Sequence, residues 1–143
     1  MNRMSDALYR PLPQLTQLTE PFWTSGLGGT LQFLRCSSCG YYTHPPGPVC
    51  ARCRNDEVAY APVSGLGTVY AVTLNHHPWY PGWSLPYVVA IVQLDEQEDL
   101  QLLTNIVGGA AESVAIGDRV RVRFEQHEDV AIPLFERLDE RST

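Results

Sequence analysis

The chain has 143 residues, enough for one domain with a real core and a small appended module, and its formal net charge of -6 sets an unfavourable field for nucleic acid. Its ten basic side chains are all arginine, so no lysine is present to form a Schiff base. No stretch approaches the roughly 20 apolar residues of a membrane span, and the opening MNRMSDALYR lacks the apolar run of a signal peptide; the expectation is a soluble, cytoplasmic protein whose paired thiols stay reduced.

Residues 1–18, with Pro11 and Pro13 among scattered polar residues, predict an extended arm. TEPFWTSGLGG then predicts a short helix, with Thr19 at the N-cap, Pro21 in the first turn, and Gly28 and Gly29 as the stop. Phe22 and Trp23 are its apolar anchors, packed on the chain's own core or presented to a partner. TLQFLRC leads as a strand into the first of two Cys-x-x-Cys pairs, Cys36/Cys39 and Cys50/Cys53, which hold every cysteine of the chain.

After APVSGLG the texture becomes that of successive strands. GTVYAVTLNH alternates, with Val69, Ala71 and Thr73 expected on one face and Tyr70, Val72 and Leu74 on the other. PYVVAIVQL reads as a strand buried on both sides, LQLLTNIV as a third strand after the acidic turn DEQED, and DRVRVRFEQ as a fourth. AIPLFERL is a short fifth strand, placed at an edge by Pro133. The chain is therefore mainly β: an arm and helix over 1–30, a rubredoxin-like zinc ribbon over 31–62, and a five-stranded OB-fold barrel over 63–143.

The cysteine pairs are separated by GYYTHPPGPV, the arrangement that lets two tight turns each offer two thiolates to one tetrahedral zinc. Four thiolates leave no open position, so the metal is structural, and no free thiol remains as a nucleophile. The same set suits iron as in rubredoxin, although nothing else in the chain suggests an electron partner. His44, between the pairs, is read as a loop residue.

Two further clusters are candidates for contact with a partner or ligand. NHHPWYPGW, on the loop after the first barrel strand, gathers His76, His77, Trp79, Tyr80 and Trp83, too many aromatics on a Pro/Gly-rich loop for a simple core. The alternative is that Trp79 and Trp83 close one end of the barrel. RVRVRF sets Arg119, Arg121 and Arg123 on one face, able to receive the phosphates of coenzyme A, a nucleic-acid backbone or an acidic surface, or simply paired with local carboxylates. No carboxylate is spaced to orient either histidine as a base, and the nucleophile-elbow, P-loop, dinucleotide and zincin motifs are missing.

The order EPFW, then LQFLRCSSCG…PPGPVCARC, then a barrel ending IPLF, resembles the acyl-CoA-associated zinc-ribbon/OB-fold family, domain of unknown function thirty-five, from about Leu15 to Leu138. The resemblance implies an accessory, non-catalytic subunit of a thiolase-fold acyl-CoA enzyme, such as an aldolase or thiolase of lipid or steroid side-chain degradation. Such a subunit stabilises its partner in a two-plus-two hetero-oligomer, helps hold the acyl-CoA, and is required for lyase or acyltransferase activity of the complex. The rival reading is a single-stranded nucleic-acid binder whose aromatic loop stacks bases, against which the net charge argues.

Overall fold

The computed structural model describes residues 10–138. Helix α1 (Glu20–Thr24) runs into a 3-10 turn at Ser25–Gly28. Thr19 stands at the N-cap position, but its hydroxyl and backbone pair reciprocally with those of Thr16 and do not cap the helix. Gly29 ends the turn at φ 87°, a left-handed conformation that glycine adopts without strain.

Strands β1 (Gln32–Cys36), β2 (Tyr42–Thr43) and β3 (Val58–Pro62) form an antiparallel sheet in the order β2-β1-β3. The two outer strands were not foreseen, because each is short and pairs around a cysteine turn. Strands β4 (Leu66–Asn75), β5 (Tyr87–Leu94), β6 (Gln101–Val107), β7 (Arg119–His127) and β8 (Val130–Arg137) close a barrel in the order β4-β5-β6-β8-β7. This is the five-stranded OB-fold arrangement.

Three local expectations change. A β-bulge between Val69 and Ala71 shifts the phase of β4, so that Val69, Val72 and Leu74 turn to the core while Tyr70 and Thr73 face out. β5 is not buried on both sides: Val88, Ala90, Val92 and Leu94 are buried, and the residues between them are half-buried. β8 is not an outer edge, because it pairs with β7 along its length and with β6 through Ile106–Phe135 and Val107–Glu136. Pro133 lies where β8 has lost β6 as a neighbour, and its carbonyl accepts the hydroxyl of the buried Thr104 at 2.9 Å.

One apolar core runs from ribbon to barrel. Phe22, Leu31, Phe33 and Tyr42 pack in the same buried cluster as Val69, Val92, Leu102, Val120 and Phe135. Burying a side chain such as Phe33 is worth about 2 kcal/mol, so the ribbon stands on the barrel and not beside it. The acidic turn makes the joint. The Gln97 side chain accepts the Tyr42 N–H at 2.9 Å and donates to its carbonyl at 2.8 Å; Glu96 accepts the Ser64 N–H, and Asp99 accepts the Tyr41 hydroxyl. On the outside, Val130, Ile132 and Leu134 of β8 are covered by Leu15 and Trp23. On the core side the 3-10 turn comes close to β7, where a Cβ on Gly26 would overlap the Phe124 ring. Among the described residues no helix is long and apolar enough to cross a membrane.

A four-cysteine metal centre and a candidate partner surface

The sulfurs of Cys36, Cys39, Cys50 and Cys53 all lie within 4.8 Å of one another, with Cys36–Cys53 and Cys39–Cys50 at 3.6 Å. Zinc–sulfur bonds of about 2.3 Å in a tetrahedron put sulfurs about 3.8 Å apart, so the set fits the ion. Each turn aims backbone N–H groups at its first sulfur: Ser38 and Cys39 donate to Cys36, and Arg52 and Cys53 donate to Cys50. The Cys53 N–H, with that of Arg52, lowers the Cys50 thiol to about 6. At Cys53 the backbone donor from Asn55 is outweighed by desolvation and the three neighbouring sulfurs, which push it up to about 11. Four crowded sulfurs resist full ionisation until a cation joins them, and zinc supplies that cation. His44 is no ligand candidate: its ring packs 4.9 Å from Phe22 and 5.1 Å from Phe33, and burial lowers it to about 4.

The other candidates separate into three groups. Phe22 is 3% exposed and belongs to the core, so it is withdrawn from the contact surface; Trp23 meets it edge-on at 4.8 Å and is half-buried against β8. Helix α1 is too short to bury its anchors anywhere but on the adjoining sheet. His76, His77 and Trp79 are exposed, Trp79 to 63%, with the His77 and Trp79 rings 4.3 Å apart and the Trp79 indole N–H donating to the Asn75 side-chain Oδ1. Tyr80 and Trp83 instead fold back, Trp83 standing 5.1 Å from Tyr80 and 4.7 Å from Tyr87. The arginine ladder is paired: Arg119 makes a two-pronged contact with Asp95, while Arg121 and Arg123 share Glu136 at 3.0 and 3.6 Å. It is a solvated outer face whose charge is met locally, and not an open phosphate cradle.

Sequence reasoning missed a clasp built on Arg10. Its guanidinium donates to Glu125 at 2.7 Å and Asn105 at 3.1 Å and lies 4.7 Å over the Trp83 ring. His127 meets the same Glu125 oxygen at 2.8 Å. Burial would raise the Glu125 carboxyl, but the His127 hydrogen bond and the Arg10 charge hold it below the usual carboxylate range. The parity of β7 already put Glu125 and His127 on the face of the arginines; nothing local announced a partner 115 residues away. Beside the clasp a cleft of about 510 Å³ opens between Arg10, Trp83, Asn105, Ala111 and, at the other end of the described chain, Arg137 and Leu138.

A closed four-sulfur ribbon fused by a common core to an OB-fold barrel defines a class of metal-stabilised scaffold. Residues 30–59 match the profile of the ChsH2 rubredoxin-like zinc ribbon domain, and residues 60–125 that of the ChsH2 C-terminal OB-fold domain. The chain belongs to this ChsH2, or DUF35, family. It is 33% identical over 127 residues to a probable enoyl-CoA hydratase alpha subunit of Thermomonospora curvata, covering 88% of this chain and 39% of that one. It is 30% identical over 131 residues to the 3-oxo-4,17-pregnadiene-20-carboxyl-CoA hydratase alpha subunit of Mycobacterium tuberculosis, covering 92% and 40%. A DUF35 domain-containing scaffold protein of Methanothermobacter thermautotrophicus is 31% identical over 94 residues, covering 64% of this chain and 69% of the relative. The chain thus spans about two-fifths of the length of the hydratase subunits it matches. Among solved structures, a chain of the Ltp2-ChsH2(DUF35) aldolase superposes with a TM-score of 0.79 at 31% identity, covering 88% of this chain and 98% of that one.

Proposed function

We propose that this chain is an accessory, non-catalytic subunit of a thiolase-fold acyl-CoA enzyme, which it stabilises in a cytoplasmic two-plus-two assembly. The partner performs a retro-aldol or thiolytic step on an acyl-CoA of lipid or steroid side-chain breakdown. The observation that carries the reading is chemical: the four sulfurs converge on one metal and the chain has no lysine, so neither a free thiol nor an amine is available for acyl or carbonyl chemistry. What remains is a rigid body with an exposed aromatic loop. The likeness over nearly a whole chain of an aldolase complex supports the choice of partner, and the pregnadiene-carboxyl-CoA name of one relative supports the substrate class. The acyl-CoA is proposed to touch this chain near the Arg10–Trp83 cleft.

The experiment is co-expression with a thiolase-fold protein from the same source, followed by size-exclusion chromatography and an acyl-CoA cleavage assay. Co-elution and activity only in the pair support the reading. Separate elution, or full activity of the thiolase-fold protein alone, sinks it.

A further inference from the structure

Charge is distributed unevenly around the barrel. β4 (LGTVYAVTLN), β5 (YVVAIVQL) and β6 (QLLTNIV) contain no charged residue, whereas β7 alternates arginines outward. An antiparallel sheet face open to water ordinarily carries polar and charged side chains. Here the register sets Ala71, Ile91 and Leu103 side by side across the outer surface, next to Thr73, Val89 and Asn105. Leu103 is 68% exposed, and across β5 from it the bulge turns Tyr70 out to 55%. The charged groups at the borders are already paired, Arg119 with Asp95 on one side and Arg10 with Glu125 on the other.

We infer that this outer face of β4–β6 is the docking surface for the thiolase-fold subunit, an inference that rests on the function proposed above. An uncharged apolar centre within a rim of satisfied ion pairs is the composition of an interface core. Charge selects the occupant. A single-stranded nucleic acid needs cations beside the stacking surface, and the nearest arginines are neutralised by carboxylates. A second copy brings another net charge of -6 toward the first, which opposes self-association. The face continues at Asn75 and Tyr87 into the aromatic loop, so the loop and the sheet present one surface to the same partner.

Leu103→Arg and Tyr70→Glu, made in the co-expressed pair, test the inference; zinc content and melting temperature verify that both variants fold. Wild-type co-elution with at least about tenfold weaker association for each variant, while Arg121→Glu on the opposite ladder associates normally, supports the docking face. Wild-type co-elution with both variants associating normally overturns the face and leaves the proposed function standing. Failure of the wild type to associate overturns the proposed function and this inference with it. A homodimer, or binding of a single-stranded oligonucleotide, that Leu103→Arg abolishes gives the face a different occupant and overturns the assignment.

Discussion

At the scale of single residues, the cysteines and His44 both tie stability to deprotonation, since the thiols must lose their protons to hold zinc and the buried ring must stay neutral. Cys36→Ser removes a sulfur that accepts two backbone N–H bonds, and the remaining three sulfurs leave zinc a weak, open site. We expect loss of the metal and severe destabilisation, since apparent structural-zinc binding energies reach about 10 kcal/mol; metal analysis and thermal melting measure both, and unchanged melting would contradict the site. His44 is lowered by burial from 6.5 to about 4, so the unfolded chain binds a proton before the folded one does. Its contribution is complete above pH 6.5 and is lost as pH falls toward 4, at most about 3 kcal/mol over that window. In zinc-saturated buffer, denaturant titrations between pH 7 and pH 5 should show a shallower loss for His44→Phe than for the wild type. Equal slopes would show that the ring is solvated. The cysteine spacing made the metal legible in the sequence, but the burial of His44 was not, because the rings that enclose it come from α1 and β1.

Elements divide the aromatic loop into two jobs. Trp79 makes few contacts inside the chain and stands in water, so Trp79→Ala should leave melting unchanged and weaken association with the thiolase-fold subunit by about 2 kcal/mol, read by titration calorimetry. Trp83 stacks with Tyr80 and Tyr87 and carries Arg10, so Trp83→Ala should itself destabilise the fold by about 2 kcal/mol, read by denaturant unfolding. Identical behaviour of the two variants would refute the division. The strands themselves were readable from their alternation, and six of the eight were placed. β2 and β3 escaped because two to five residues around a cysteine turn carry no period. The bulge at Tyr70 escaped because an extra residue in one strand leaves no mark on composition, yet it reverses which side chains face the core.

For the whole molecule, net charge outweighs the arginine ladder. A field set by -6 and three arginines already held by Asp95 and Glu136 predicts little or no binding of single-stranded DNA near physiological salt. Fluorescence anisotropy would detect the contrary case as a tight complex that weakens steeply with added salt. The long-range ties were the part the sequence withheld: Gln97 locking the ribbon and Arg10 clasping the barrel join residues 55 and 115 positions apart. Such ties depend on topology, which no local pattern encodes. Arg10 near one end of the described residues and Arg137 and Leu138 at the other line the same cleft, so the described body brings its two ends to one opening. For a protein engineer, a circular permutation that joined residue 138 back to residue 10 would have only that opening to bridge, beside the aromatic loop.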